Sequence, residues 1–226
     1  MAKPFLVEES LRKLLNTYPR PADFRQALIG ISRRSREDVV RLWLTEGIPF
    51  AFRGYPSVYE EMRSWLGARL GVCPKEITLV GSARIGFSIA GPKFGRSLDE
   101  GSDLDLSVVS EALFGKITET FAAWKENYSK GTVKPRNDRE RLFWDQNLEF
   151  GERNFSLGFF DANKLPTFEH YPVIQQIQQA MWALTKKLEV TPDVLSPQRA
   201  SLRVYRTWQA LVARVSFNLY TAISCS

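Results

Sequence analysis

The sequence is poor in the residues that build the commonest metal and nucleophile sites. It has one histidine, His170, and two cysteines, Cys73 and Cys225, among 226 residues. A lone histidine excludes a His-rich metal centre and offers no obvious Ser-His-Asp triad. Next to Tyr171-Pro172, His170 reads as a capping or packing residue. Two cysteines support neither a disulfide framework nor a zinc site, and a reducing cytoplasm is the expected location. No run reaches the ~20 apolar residues of a membrane span, so no membrane partner is expected. The opening MAKPFLVEESLRKLL is too polar and too acidic for a signal peptide. Repeats and low-complexity tracts are absent as well.

What the chain does contain points to a folded protein with a basic surface. Hydrophobic residues make up 44% and aromatics 12%, enough for one large domain or two small ones. The net charge of +6 favours polyanionic partners such as nucleotides or nucleic acid. Residues 1–75 read as a helical part and 76–226 as an α/β part, with one continuous domain as the alternative. In the first part, helices are expected over Phe5–Leu15 and Ala22–Ile31. Two more follow Ser35-Arg36-Glu37-Asp38 and Ser57-Val58-Tyr59-Glu60, each of which resembles a capping box. Arg33, Arg34 and Arg36 read as a solvated helix junction rather than a nucleic-acid patch.

The second part alternates strands and helices. Ile77–Val80 is a short apolar strand, followed by a Gly81-Ser82 turn and a Gly/Ser/Pro-rich loop over residues 86–101. Asp103–Val109 is a second strand. A helix capped by Ser110 then carries the stripe Leu113, Phe114, Ile117, Phe121 and Trp124. Residues 151–166 look irregular, with a short strand at Phe155–Phe160. Ile174 to Leu188 is amphipathic, Ala200–Tyr205 alternates like a strand, and Thr207 caps a terminal helix.

The chemistry concentrates at the first two strands. In a strand, side chains at i and i+2 share a face roughly 7 Å apart, so Asp103 and Asp105 project together while Leu104, Leu106 and Val108 face the core. Paired carboxylates repel unless a cation lies between them, and a divalent metal is the usual cation where phosphates are handled. The Gly81-Ser82 turn offers backbone N–H groups that suit a phosphate. Gly81 and Gly86 have P-loop spacing, but Phe87 stands where Lys is required, and without that lysine the loop is excluded. The plainer alternative is a pair of solvated carboxylates on an edge strand.

Gly81-Ser82 after an apolar strand, followed by Asp103-Leu104-Asp105-Leu106, resembles the signature of the nucleotidyltransferase fold, the DNA-polymerase-β-like superfamily. The resemblance covers Ile77 to Val109. It implies an α/β (α+β) architecture with a mixed sheet flanked by helices. It further implies that Gly81 and Ser82 contact the triphosphate of an NTP, and that Asp103 and Asp105 are the catalytic carboxylates holding two Mg²⁺ ions. The reaction implied moves a nucleoside monophosphate to a hydroxyl acceptor on a nucleotide, RNA, protein or small molecule, releasing pyrophosphate. Arg84 is a further nucleotide-binding candidate by proximity, set against a structural salt bridge. Lys93 and Arg96 are loop charges that could close over the nucleotide.

Two departures stand out. The spacer before Asp103 is longer than in the family, so residues 88–100 must loop out. A third carboxylate has no secure position: Asp161, Glu149 and Glu152 are candidates, and the strand at 201–205 offers Arg203 instead. The alternative reading is therefore a catalytically silent nucleotide- or nucleic-acid-binding module that acts as a subunit or sensor with a protein partner. Phe159, Phe160 and Tyr205 could stack on a base, although core packing is the default for each.

Overall fold

The computed structural model describes residue 5 and residues 7–224. Cys225 and most of the segment before Val7 lie outside the described residues. Four helices precede the first strand: α1 (Glu9–Arg12), α2 (Pro21–Leu28), α3 (Arg33–Val39) and α4 (Pro56–Leu70). Strands and helices then alternate as β1 (Ile77–Leu79), α5 (Ser82–Ile85), β2 (Leu104–Val109), α6 (Glu111–Ser129), α7 (Asp138–Ser156), β3 (Phe159–Asp161), α8 (Pro172–Glu189), β4 (Ala200–Tyr205) and α9 (Trp208–Ser224). This is a mixed α/β architecture, with helices around a four-stranded sheet. No helix among the described residues is long and apolar enough to cross a membrane.

The helix starts differ from the sequence expectation in instructive ways. The first helix shrinks to Glu9–Arg12, and α3 begins three residues early because Ser32, not Ser35, is its N-cap. The Ser32 hydroxyl accepts a bond from the Ser35 N–H at 3.1 Å, and the Ser35 hydroxyl in turn donates to Glu8 at 2.7 Å. Likewise α4 opens at Pro56, whose fixed φ and missing N–H suit the first helical position, so Ser57 already lies inside the helix. The expected stop at Gly71 is present, with φ +67° closing α4.

Residues 151–156, expected to be irregular, complete α7, and the strand starts later, at Phe159. Long-range aromatic packing overrides the local pattern here. Phe155 stacks on Phe160 with ring centroids 4.4 Å apart and also packs against Phe121 at 4.9 Å. Gly158, at φ +78°, makes the turn between helix and strand.

The strand order is β1-β2-β4-β3, with β1 antiparallel to β2, β2 parallel to β4, and β3 antiparallel to β4. Strand alternation sends Ile77, Leu79, Leu106, Val108, Leu202 and Val204 to one face, where α4, α6 and α8 cover them. Val109, Phe159 and Tyr205 lie on the other face, under α2, α3 and α9. Helices from the first 75 residues thus contribute to both cores. The second face is apolar at only one end. Its other end carries Thr78, Asp105, Ser107, Ser201, Arg203 and Asp161, and the candidate site lies there.

Candidate functional site

Asp103 and Asp105 occupy the N-terminal end of β2. Asp105 lies in register with Ser201 of the neighbouring β4, and the Ser201 hydroxyl donates to Asp105 Oδ1 at 2.7 Å. Asp103, one residue before the strand, is held by Arg199, whose Nε and Nη2 donate to Oδ2 at 2.8 and 2.7 Å. That contact holds Arg199 above its usual pKa range, first through the hydrogen bond and then through the carboxylate charge. Arg199 is exposed, so the pair contributes little to stability. Asp105 is exposed and joins no salt bridge among the described residues.

The β1 end is tied to the same point, because the Val80 N–H donates to the Asp105 carbonyl at 3.0 Å. The chain then turns at Gly81, with φ +68° and ψ −148°, a combination open essentially to glycine alone. A Cβ on Gly81 would lie 3.4 Å from Asp105 Oδ2, so the turn is packed against the carboxylate. Gly81→Ala is expected to lower stability by about 1–3 kcal/mol through backbone strain and to shift the turn that packs on Asp105. Denaturant unfolding reads the first effect, and a shifted metal titration the second.

Ser82, Asp103 and Asp105 line a cleft of about 340 Å³, and the loop between Gly86 and Gly101 supplies its opposite wall. The long spacer is folded rather than loose. Phe87 and Ser97 form an antiparallel bridge, the Ser88 N–H donates to the Arg96 carbonyl at 2.8 Å, and Phe87 and Phe94 anchor the excursion in the second core. This folding brings Ser88, Lys93 and Arg96 to the cleft, with both cations exposed.

Arg84 is not among the cleft residues. Its side chain is only 1% exposed, with Nε bonded to the Trp43 carbonyl at 3.1 Å and Nη1 to the Gly47 carbonyl at 2.9 Å. It braces α5 against the segment after α3, and burial lowers its pKa. A salt bridge does not form either, among the described residues. The aromatic candidates Phe159, Phe160 and Tyr205 are all core residues. His170 is exposed and lies outside the cleft.

Among the described residues, no third carboxylate lines the cleft. Asp161 pairs across the sheet with Arg203, accepting bonds at 2.6 and 3.0 Å. Burial opposes the Arg203 charge, yet the Asp161 carboxylate and the Tyr205 hydroxyl hold the guanidinium above its usual range. Glu149 and Glu152 are on α7, where Glu152 pairs with Lys125. The neighbour of Asp105 on β4 is Ser201, with Arg199 beside Asp103. Sequence reasoning missed both residues. The alternation of Leu202 and Val204 restricts the partners of Asp105 to 201 or 203 but does not choose between them. Compared with known protein families, curated proteins and solved structures, the chain matches none.

Proposed function

We propose that the chain binds a nucleoside triphosphate together with Mg²⁺ at this cleft, as a nucleotidyltransferase-like module that acts as a sensor or subunit. The observation that carries this reading is the convergence of Asp103, Asp105 and the Gly81-Ser82 turn on one cleft, opposite Lys93 and Arg96. Magnesium is commonly held by one or two carboxylates plus the phosphates of its nucleotide. Asp103 and Asp105 match that donor set for one ion. A second ion needs further oxygen ligands, and no cluster of three acidic, His or Cys side chains occurs among the described residues. Magnesium, when bound, neutralises phosphate charge. Around it, the chain's own groups have separate tasks. Lys93 and Arg96 attract the polyphosphate, the Ser82 and Ser88 hydroxyls donate to its oxygens, and Ser201 orients Asp105.

A second reading is transfer of the nucleoside monophosphate to a hydroxyl acceptor. It is favoured by the exposure of Asp105, which leaves room beside the carboxylate for a second reactant. One experiment distinguishes the two. Each of the four labelled ribonucleoside triphosphates is incubated with the protein in Mg²⁺, Mn²⁺ or EDTA, and both retention and pyrophosphate are measured. Metal-dependent retention, weakened about tenfold or more by EDTA, without pyrophosphate is the expected result. Pyrophosphate release establishes the second reading. Absence of both retention and pyrophosphate in either metal overturns both.

A further inference from the structure

A second groove lies on the same sheet face but among the helices, away from Asp103 and Asp105. It has a volume of about 460 Å³ and runs between α3, α9 and the α7–β3 turn. That size suits a small organic ligand. Four guanidinium groups line it, from Arg33, Arg36, Arg153 and Arg214, against one carboxylate, Glu37. Glu37 is already engaged by Arg33 at 3.0 Å. The remaining three arginines have no salt bridge among the described residues. Asp161, the next carboxylate behind the groove, is engaged by Arg203.

Two of these cations are partly buried. The Nε atoms of both Arg36 and Arg214 are buried without a hydrogen-bond partner. Buried polar groups normally find partners, and an unpartnered buried guanidinium nitrogen is costly. Burial and the charges of Arg203 and Arg153 act together to lower the pKa of Arg214. An anion in the groove would offset this crowded positive charge.

The rest of the lining is aromatic. Arg36 lies over the Tyr220 ring at 4.6 Å, and Arg214 lies over Phe159 at 4.8 Å and Phe217 at 5.7 Å. Tyr220 and Phe217 are 54% and 59% exposed, so their rings are open to a ligand. Stacking fixes the guanidinium planes while their edges remain available for the forked recognition of an oxyanion.

We propose that this groove is a second binding site, specific for a small phosphate monoester attached to a planar apolar body. The phosphoryl group meets Arg36 and Arg214, with Arg153 at the rim, and the apolar body lies against Phe217 and Tyr220. A dianion matches the surplus of guanidinium charge better than a monocarboxylate does. The site is independent of the cleft and of the function assigned to it.

Isothermal titration of the full chain with phenyl phosphate tests the proposal, with benzoate, phenol and inorganic phosphate as comparison ligands. Phenyl phosphate is expected to bind most tightly. Arg214→Met should weaken it about tenfold or more, and so should Arg36→Met. Phe217→Ala changes an exposed ring that the fold does not need. It should reduce the preference for phenyl phosphate over inorganic phosphate while leaving the unfolding midpoint unchanged. Asp105→Asn, in the other site, should leave phenyl phosphate binding as it was. No saturable binding of phenyl phosphate, or equal binding by a folded Arg214→Met protein, overturns the proposal. So does binding of an acidic peptide or RNA at the same arginines with no response to phenyl phosphate, because that result assigns the groove to a macromolecule.

Discussion

Asp105→Asn is expected to weaken Mg²⁺-dependent triphosphate binding by about a hundredfold, and Asp103→Asn by only about tenfold. The difference follows from their partners. Arg199 contacts Asp103 directly and Asp105 only through its more distant charge, while among the described residues Asp105 is hydrogen-bonded by the neutral Ser201 hydroxyl and joins no salt bridge. Without the Asp105 charge, Asp103 and Arg199 remain as a nearly neutral pair, leaving no net negative charge to hold a metal. Removing the Asp103 charge frees Arg199, an exposed cation beside Asp103 that can offset phosphate charge in its place. Affinity measured as a function of Mg²⁺ concentration checks the ranking. Equal losses would mean that Arg199 does not compensate. Neither carboxylate is buried, so the unfolding midpoints of both variants should stay close to that of the parent.

Arg84→Ala is expected to cost about 3–5 kcal/mol of stability. Two penalties combine: a large buried side chain leaves a cavity, and the carbonyls of Trp43 and Gly47 lose their donors. The absence of any salt bridge to Arg84 among the described residues makes the carbonyls, and not a carboxylate, the groups left unsatisfied. Arg84→Lys keeps the charge but loses the fork that reaches both oxygens, so an intermediate cost is expected. Urea unfolding measures both variants. Triphosphate affinity, measured where the variant is still folded, should change little. A large affinity loss at unchanged stability would return Arg84 to the role of a phosphate ligand.

These two residues also mark how far the sequence could be read. The Asp103/Asp105 pair was legible because strand alternation is a local rule and Leu104, Leu106 and Val108 satisfy it. The Gly81 turn was legible for the same reason, since a positive φ limits the choice of residue. Arg84 was misleading. Its proximity to the turn along the chain suggested the cleft, but helical geometry directs its side chain to a segment 37–41 residues earlier. Arg36 shows the converse failure. In sequence it belonged to a solvated cluster, yet packing of α3 against α9 places its guanidinium over Tyr220. The register of β2 against β4 was not legible, because a parallel pair joined through three helices leaves no turn to set it.

The parallel pairing has a consequence for how the protein acquires its shape. Asp103 and Asp105 meet Arg199 and Ser201 across 96 residues of chain, and β4 lies between β2 and β3 in the finished sheet. At about 5–20 residues per second of synthesis, β2 waits roughly 5–20 s for its central neighbour to be made. During that interval β2 has only β1 for a partner, and its other edge is open to pairing with a second chain. The two aspartates sit on that open edge. In an in-register pairing of two copies, each aspartate would face its own counterpart, and like charges directly opposite destabilise a strand pair. The same carboxylates that line the cleft would thus disfavour self-pairing of an unfinished sheet.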